Sequence, residues 1–206
     1  MTNSTIRIRH AALQDAEGVL AVYAPYVKDT PITFETEVPG VEDFRERMRG
    51  IMETYPYLIA EDGGRIVGFA YAHRIAERAA YDWDVEFSIY LDGSHTGRGI
   101  GTTLSRAAFK LLEMQGVRNV FSLIAVPNPA SIGLHEKLGF RHMGTQERAG
   151  YKLGAWHDVE WMQKPIGDFE GAPAPLLRAR DLDPQAVQDI LSDAERICRS
   201  RAPRQP

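Results

Sequence analysis

Residues 86–101 read EFSIYLDGSHTGRGIG, and this stretch decides the fold. An apolar, strand-like segment from Glu86 to Leu91 leads into a glycine-rich turn from Thr96 to Gly101, where an amphipathic helix begins. A strand, a glycine turn and a helix in this order form a cradle of backbone N–H groups at a positive helix N-terminus, which suits a phosphate. Glu86 adds a carboxylate beside the cradle. The stretch therefore predicts an enzyme that binds a phosphorylated cofactor and moves a proton.

The composition is that of an ordinary globular protein. The chain has 206 residues, 44% of them hydrophobic, and a net charge of −4, which argues against nucleic acid or an anionic membrane surface as the main partner. Cys198 is the single cysteine, which excludes an intramolecular disulfide and a cysteine-rich zinc site, and we expect no metal. The chain shows no signal-peptide core and no run long enough to span a bilayer. We therefore expect a cytoplasmic protein with no membrane partner.

Apolar periodicity predicts the elements of the first half of the chain. It indicates a strand at residues 6–9, helices at about 15–26 and 41–55, and strands at 57–61 and 66–71. The last two strands flank Asp62-Gly63-Gly64, which is a strong hairpin signal. A polar break at residues 74–80 then precedes the strand at residues 82–91.

The second half alternates helices and strands. Gly116 closes the helix after the glycine turn, and Gly139 closes a short helix at residues 130–138. Strands are indicated at residues 120–126, 141–147 and 156–163. The order β-α-α-β-β-β-α-β-α-β-β predicts an α/β protein with a mixed sheet.

The composition changes after Pro165. Residues 171–175 read as a linker, and residues 184–199 predict a helix with an apolar stripe of Val187, Ile190, Leu191, Ala194 and Ile197. An isolated helix of this length is marginal in water, so we expect it to dock on the body or on a partner subunit. The sequence thus predicts one domain at residues 1–166, followed by a linker and helical tail at residues 167–206.

Two common phosphate motifs do not fit the glycine turn. A P-loop needs Gly-Lys followed by Ser or Thr, and no lysine appears between Gly93 and Lys110. A dinucleotide fingerprint needs a third glycine where Thr102 stands, and an acidic residue where the next strand runs into Val126 and Pro127. The remaining pattern is x-x-x-Gly-x-Gly at a strand-to-helix turn.

That pattern resembles the acetyl-CoA pyrophosphate loop of the GNAT superfamily of N-acetyltransferases, written Gln/Arg-x-x-Gly-x-Gly/Ala. Thr96 departs from it, and Arg98 adds a cation. Asn128 stands where the superfamily has an asparagine that touches the cofactor arm. An asparagine between two prolines can equally well serve only to form a turn. The resemblance implies a mixed central sheet with a splayed strand pair flanked by helices. It also implies acetyl-CoA contacts at Ile89, Tyr90, Leu91, Thr96, Gly97, Arg98, Gly99, Ile100, Gly101 and Asn128.

Longer blocks narrow the resemblance. Residues 33–37 (TFETE), 81–86 (YDWDVE), 134–136 (LHE) and 150–159 (GYKLGAWHDV) together are similar to the phosphinothricin and methionine sulfoximine N-acetyltransferases. The similarity covers the segment from Ile6 to Pro165. It implies that acetyl-CoA donates an acetyl group to the α-amino group of a glutamate-analogue amino acid, and that the enzyme is a homodimer.

Acetyl transfer needs a group that takes a proton from the amine, and one carboxylate suffices, acting directly or through a water. Glu86 is flanked by apolar residues, so burial should raise its pKa; the alternative is a glutamate on a solvated strand face. His135 occupies the position of the superfamily tyrosine that protonates the departing thiol. It either protonates the sulfur or assists Glu86 through water, and the alternative is a structural histidine. The Ile89 N–H is a candidate oxyanion donor.

An amino-acid substrate also needs a cation for its carboxylate. Arg74 and Arg78, in the polar loop before Tyr81, are the candidates. Tyr81 is a further candidate substrate-binding residue, and Phe34 and Glu35 are candidate walls of the pocket. The family has a Trp-Lys pair in this loop, whereas this chain reads Ile-Ala-Glu before Arg78, which leaves the exact substrate open.

Two other functions remain as alternatives. One is an N-acetyltransferase for a different small amine or a protein N-terminus. The other is a non-catalytic module that binds acetyl-CoA, and the presence of both Glu86 and His135 argues against it.

Overall fold

The structure is a computed structural model that describes residues 6–200. The strands are β1 (Ile6–His10), β2 (Tyr57–Asp62), β3 (Arg65–Arg74), β4 (Asp84–Leu91), β5 (Asn119–Val126), β6 (Arg141–Lys152) and β7 (Ala155–Pro165). The helices are α1 (Ala16–Asp29), α2 (Val41–Met52), α3 (Ile100–Gln115), α4 (Pro129–Lys137) and α5 (Pro184–Ser200). These elements follow one another in the predicted order.

The strands form one mixed sheet in the order β1-β2-β3-β4-β5-β7-β6, which confirms the predicted α/β fold. Every neighbouring pair is antiparallel except β4 and β5, which are parallel. The parallel pair arises because α3 connects β4 to β5 as a crossover. Both the glycine turn and the chain entry to α3 therefore lie at the C-terminal end of β4.

Alternation along the strands divides the core between the two faces of the sheet. Helices α1 and α2 cover one face, where the buried side chains include Tyr23, Phe44, Met48, Tyr57 and Phe69. Helix α3 covers the other face, where they include Leu58, Val67, Phe87, Leu104 and Leu111. Consecutive residues of β4 therefore point to different layers, and Glu86 points to the side of α1 and α2 while Phe87 points to α3.

Two sequence signals define the local geometry. Gly63 and Gly64 have φ angles of 59° and 82° in the β2–β3 turn, which confirms the predicted hairpin. Gly116 and Gly139 are left-handed at the ends of α3 and α4, as the predicted C-caps require.

Several predicted boundaries differ from the structure. Strand β3 continues to Arg74, beyond the predicted end at residue 71, and strands β6 and β7 form a hairpin longer than expected. Helix α2 ends at Met52 instead of residue 55. The extensions mix polar and apolar residues, so hydrophobic periodicity does not mark them; pairing with a neighbouring strand holds them in the sheet.

The tail helix α5 packs against α3 and β1. Its buried residues are Leu191, Ala194 and Cys198, whereas Ile197 of the predicted stripe is 37% exposed. Glu195 Oε1 accepts a hydrogen bond from the N–H of Ile8 at 3.2 Å, so the helix also satisfies part of the sheet edge.

Candidate active site

Strands β4 and β5 diverge at Glu86. They pair only where residues 84–86 face residues 119–121, and Glu86 opposite Phe121 is the last pair. Beyond that point Ser122 Oγ still donates to the carbonyl oxygen of Phe87 at 3.3 Å. The rest of β4 then leaves one edge of backbone without a strand partner. The expected splayed strand pair is therefore present, with Glu86 at the fork.

The fork opens into a cleft of about 590 Å³ between β4, the glycine turn and α4. Nine of the ten residues expected to contact acetyl-CoA line it. They are Ile89, Tyr90, Leu91, Thr96, Gly97, Arg98, Gly99, Gly101 and Asn128. The tenth, Ile100, is 1% exposed and anchors the first turn of α3 in the core. Its side chain therefore lies beneath the cleft, and only its backbone N–H belongs to the helix N-terminus.

The glycine turn has the backbone geometry of a phosphate cradle. Gly97 and Gly99 have φ angles of 72° and 80°, in the region that favours glycine. Gly99 is the N-cap of α3, and the N–H groups of the first helical turn have no carbonyl partner within the helix. Thr96 Oγ1 donates to the carbonyl oxygen of Gly93 at 2.9 Å, so its side chain closes the turn. These features fit a diphosphate held by backbone N–H groups.

A network beneath the turn, missed by the sequence analysis, holds it in place. The buried His95 ring has Nε2 at 3.1 Å from Asp62 Oδ2 and Nδ1 at 3.4 Å from Asp92 Oδ1. Hydrogen bonds from Ser94 and from Arg65 keep the pKa of Asp92 well below its usual range. His95 thus connects the β2–β3 hairpin to the residue that precedes the turn.

Glu86 is a half-buried carboxylate beside a histidine. Its side chain is 25% exposed, and burial raises its pKa above the ordinary value, with the charge of His73 acting in the opposite direction. The two side chains are cross-strand neighbours, and His73 Nε2 lies 3.8 Å from Glu86 Oε2. His73 was not predicted because the expected strand ended two residues before it.

His135 is buried, at 2% exposure, on the opposite wall of the fork. Its Nδ1 lies 2.8 Å from the carbonyl oxygen of Ser131, one helical turn earlier, while Nε2 is buried with no hydrogen-bond partner. Phe87 and Phe140 pack edge-on against the ring. Burial lowers the pKa of His135, which favours the neutral imidazole. The structure thus places an unpaired nitrogen lone pair next to the diverging strands.

Backbone direction places the Ile89 N–H in the cleft. Alternate residues of a strand direct their backbone groups to the same side, and the carbonyl of Phe87 faces Ser122 on β5. Ile89 follows two residues later, so its N–H faces the same side, where β5 has moved away. Asn128 lies across the cleft, where its Oδ1 accepts from the N–H of Ser131 at 3.2 Å and caps α4.

The predicted pocket walls Phe34 and Glu35 lie in the loop after α1, which the β6–β7 hairpin fixes in place. Lys152 is 4% exposed, and its Nζ donates to the carbonyl oxygen of Thr33 at 2.7 Å. A Cβ at Gly150 would come within 2.5 Å of the Phe34 ring, so glycine permits that contact. Glu35 accepts hydrogen bonds from Tyr23 and, at 2.7 Å, from Arg47.

Glu35 and Glu86 both lie near Tyr71. Burial raises the pKa of this tyrosine, and the charges of Glu86 and Glu35 raise it further. Arg47 on α2 lines a small recess with Glu35 and Tyr71, on the face of the sheet that carries Glu86. The sequence analysis missed Arg47, since the hydrophobic pattern does not show that this polar position on α2 faces Glu35 of the preceding loop.

Of the two arginines expected to bind a substrate carboxylate, the structure directs Arg74 away from Glu86. Arg74 is the cross-strand partner of Val85, whose side chain belongs to the α3 face, and it forms an ion pair with Asp82. A shift of one residue along a strand reverses the face, which the sequence did not reveal. Arg78 and Tyr81 are exposed on the β3–β4 connection, at the end of the sheet nearest Glu86.

Within residues 6–200, no cluster of three or more His, Cys, Asp or Glu side chains is arranged to hold a metal ion. In the same part of the chain, every helix is too short or too polar to cross a membrane.

Comparisons with known proteins agree with this geometry. Residues 8–161 match the family described as acetyltransferase (GNAT) domain. The phosphinothricin N-acetyltransferase of Streptomyces viridochromogenes is 38% identical over 170 residues, which cover 82% of this chain and 91% of that protein. The L-methionine sulfoximine/L-methionine sulfone acetyltransferase of Pseudomonas paraeruginosa is 33% identical over 171 residues, covering 81% and 98%.

A solved structure shares the fold. The phosphinothricin acetyltransferase of Sinorhizobium meliloti, crystallised with acetyl-CoA, superposes with a TM-score of 0.79 at 32% identity. The match covers 87% of this chain and 96% of that one.

Proposed function

We propose that this chain, which belongs to the acetyltransferase (GNAT) domain family, transfers the acetyl group of acetyl-CoA to the α-amino group of a glutamate-analogue amino acid such as phosphinothricin or methionine sulfoximine. One observation carries the proposal: the only parallel strand pair of the described sheet separates at Glu86, and the cleft beyond it leads to a phosphate-binding turn. The names of the relatives supply the substrate class.

The residues of the cleft fit acetyl-CoA. The positive φ angles of Gly97 and Gly99 leave the N–H groups of the turn open to the diphosphate, and Arg98 adds a positive charge to the wall. The backbone edge of β4 from Ile89 to Leu91 suits an extended arm with amide groups, which pairs with a strand as an added strand does. Acetyl-CoA, when bound, supplies the acetyl group as a thioester. Asn128 faces this edge from the start of α4.

Glu86 is the proposed base for the amine. An α-amino group has a pKa of about 7.7–8.0, so near neutral pH most of the substrate carries a proton that must be removed before the amine can attack. Burial raises the pKa of Glu86, which makes it a better proton acceptor than an exposed glutamate. The position at the fork brings this carboxylate next to the cleft. The Ile89 N–H, which faces the cleft, can donate to the thioester carbonyl oxygen.

His135 then acts as an acceptor in the proposal. Its Nδ1–H is used by Ser131, so the buried Nε2 carries the lone pair. A neutral ring with this tautomer accepts a proton from the amine side through a water. We therefore favour assistance to Glu86 over the alternative role, protonation of the leaving thiolate by His135.

The proposed substrate pocket lies on the α1 and α2 side of Glu86. Phe34 and Glu35 form one wall, and Arg47 and the exposed Arg78 are the candidate partners of the substrate carboxylate. Tyr81 lies on the same β3–β4 connection as Arg78. Arg74 is not part of the proposed pocket, because its strand position faces α3.

A substrate panel tests the function. Purified protein and acetyl-CoA are incubated with phosphinothricin, methionine sulfoximine, glutamate, spermidine and a peptide with a free N-terminus, and free thiol is followed. We expect thiol release with the first two compounds and acetylated product by mass spectrometry. Release only with spermidine or the peptide contradicts the proposed substrate class, and release with none of the five contradicts the proposed activity on these acceptors.

The family match ends at residue 161, and we propose that the catalytic domain ends near residue 166, with a linker and helical tail after it. We also propose a cytoplasmic homodimer. Acetyl-CoA is a cytoplasmic metabolite, which supports the location.

A patch at the tip of the β6–β7 hairpin supports the dimer. It consists of Tyr151, Leu153 and Trp156, which are 60%, 61% and 61% exposed, and a second copy would cover it. Analytical ultracentrifugation of Leu153→Glu tests this, and we expect a monomer. Phe169 is an aromatic residue of the linker that is 62% exposed, so Phe169→Glu is the control variant that should stay dimeric. A monomeric unmodified protein contradicts the proposal.

A further inference from the structure

Strand β3 continues past the predicted end, and this extension places His73 opposite Glu86. The two residues are direct cross-strand partners in the β3–β4 ladder. Partners of this kind project their side chains on the same face of the sheet, about 5 Å apart at Cβ. His73 Nε2 lies 3.8 Å from Glu86 Oε2, so a side-chain movement of about 1 Å brings the two atoms to hydrogen-bond distance when one of them carries a proton.

The His73 ring is held in one orientation. Its Nδ1 lies 3.0 Å from the carbonyl oxygen of Arg74, which can only accept, so Nδ1 carries the proton of the neutral ring. The ring also stacks on Tyr71, with centroids 6.0 Å apart and planes at 30°. Both contacts leave Nε2, with its lone pair, directed at Glu86.

His73 is also the more open member of the pair. Its side chain is 39% exposed, against 25% for Glu86. A proton that reaches Nε2 therefore has a shorter route to bulk water than one that stays on the carboxyl group.

We propose that His73 is a positioning residue for Glu86: it takes over the proton that Glu86 removes from the amine and, once protonated, holds the carboxylate. The inference rests on the proposed role of Glu86. The amine N–H bond breaks as the Glu86 O–H bond forms, and that proton then moves to His73 Nε2. The resulting imidazolium pairs with the regenerated carboxylate and releases its proton to water, so that both groups return to their starting state.

The other titratable groups on the face of the sheet that carries Glu86 do not provide this route, and His135, the second proposed acceptor, packs against Phe87 of the opposite face. Tyr71 on β3 and Tyr90 on β4 both respond to the charge of Glu86, and burial raises the pKa of each. Both are neutral phenols over the pH range in which the enzyme works, and a neutral phenol has little affinity for a further proton. Glu35 and Arg47 also influence Tyr71 through their charges; Glu35 forms an ion pair with Arg47, and the guanidinium of Arg47 cannot accept a proton.

Kinetics of His73→Ala test the proposal. We expect kcat to fall about 10-fold, with the KM of both substrates within about twofold of the unmodified value, since the variant loses proton transfer and keeps the cleft. Added imidazole should restore kcat, whereas sodium chloride at the same ionic strength should not. His142→Ala, an exposed histidine on β6, is the matched control that should keep full kcat and show no response to imidazole.

A second measurement is independent of turnover. The titration of Glu86 is followed by NMR with 13C-labelled glutamate in the unmodified protein and in His73→Phe, which preserves the stack on Tyr71. Because the charge of His73 lowers the pKa of Glu86, we expect a higher midpoint in the variant. An unchanged midpoint overturns the coupling, even if no amino acid is acetylated and the proposed function fails. With an active enzyme, unchanged kcat in His73→Ala, or a loss that imidazole does not restore, overturns the proton transfer.

Discussion

His135 Nδ1 lies 2.8 Å from the carbonyl oxygen of Ser131, and this one contact fixes the tautomer of a buried imidazole. The carbonyl accepts only, so Nδ1 donates and Nε2 keeps its lone pair. Nε2 has no partner, although a buried polar atom without one carries a cost of about 1–3 kcal/mol. An orphaned acceptor at the fork of β4 and β5 is what a bound water or substrate group would satisfy.

Replacement of His135 by phenylalanine removes that acceptor and keeps the ring packing against Phe87 and Phe140. We expect kcat to fall about 10-fold or more, because assistance to proton transfer is lost, while the affinity for acetyl-CoA stays within about twofold. Steady-state kinetics and isothermal titration separate the two effects. Phe140→Leu, which changes the same cluster without removing a polar atom, should reduce stability but keep most of kcat. Full activity in His135→Phe contradicts an acceptor role.

The burial of His135 also makes stability depend on pH. Burial lowers its pKa, so the unfolded chain binds its proton more readily than the folded one. The contribution of His135 to the free energy of unfolding is fully present above about pH 6.5, the pKa in the unfolded chain. It is lost as the pH falls toward the lowered pKa of the folded state. Urea unfolding between pH 5 and 7.5 should show this loss of stability at low pH, and His135→Phe should lose less stability over the same range. Parallel pH profiles for the two proteins contradict the prediction. His10, whose pKa burial also lowers, contributes equally to both curves.

Glu86→Gln tests the proposed base directly. The amide keeps the size of the side chain but cannot take a proton, so we expect kcat to fall by about 100-fold or more. Acetyl-CoA affinity should not change, since Glu86 does not line the cofactor cleft. In the unmodified enzyme, activity should drop as the pH falls through the raised pKa of Glu86, above its ordinary 4.5. Unchanged turnover in the variant would remove Glu86 from the mechanism.

Gly97→Ala tests the phosphate cradle. An alanine at a φ of 72° is strained by about 1–2 kcal/mol, and the strain should distort the N–H groups of the turn. We expect a higher KM for acetyl-CoA and an unchanged KM for the amino acid. Gly63→Ala is the matched control, with a φ of 59° and open space around the added Cβ, as at Gly97. It should cost similar stability without any change in KM; equal KM effects in both variants would show that strain alone is responsible.

The order of elements was predictable from the sequence because its signals are local. The glycines at positions 63 and 64 form the β2–β3 turn, and those at positions 116 and 139 end helices, each through its own backbone conformation. The glycine turn and the carboxylate beside it are also local, so the cofactor side of the site followed from the sequence. Thr96 shows the limit even there, since the sequence did not reveal that its side chain closes the turn through a hydrogen bond to Gly93.

The substrate side of the site depends on contacts between distant segments. His73 meets Glu86 only because β3 pairs with β4 beyond the end that the hydrophobic pattern predicted. Arg74, one residue later, faces the other way for the same reason, although its sequence context differs little from that of His73. Arg47 on α2 reaches Glu35 in the loop between α1 and α2. Hydrophobic patterns carry no information on such polar pairs.

The tail helix provides the last prediction. Leu191 is 7% exposed where α5 packs on α3 and β1, so Leu191→Ala should lower the free energy of unfolding by about 2–4 kcal/mol. The cleft lies between β4 and β5, whereas α5 packs near β1 at the edge of the sheet. We therefore expect kcat and KM to stay unchanged at temperatures where the variant is folded. Ile197→Ala is the control within the same helix, since that side chain is 37% exposed and its truncation should cost less than about 1 kcal/mol. Equal losses from the two variants in urea unfolding would show that α5 does not dock through the Leu191 face in solution.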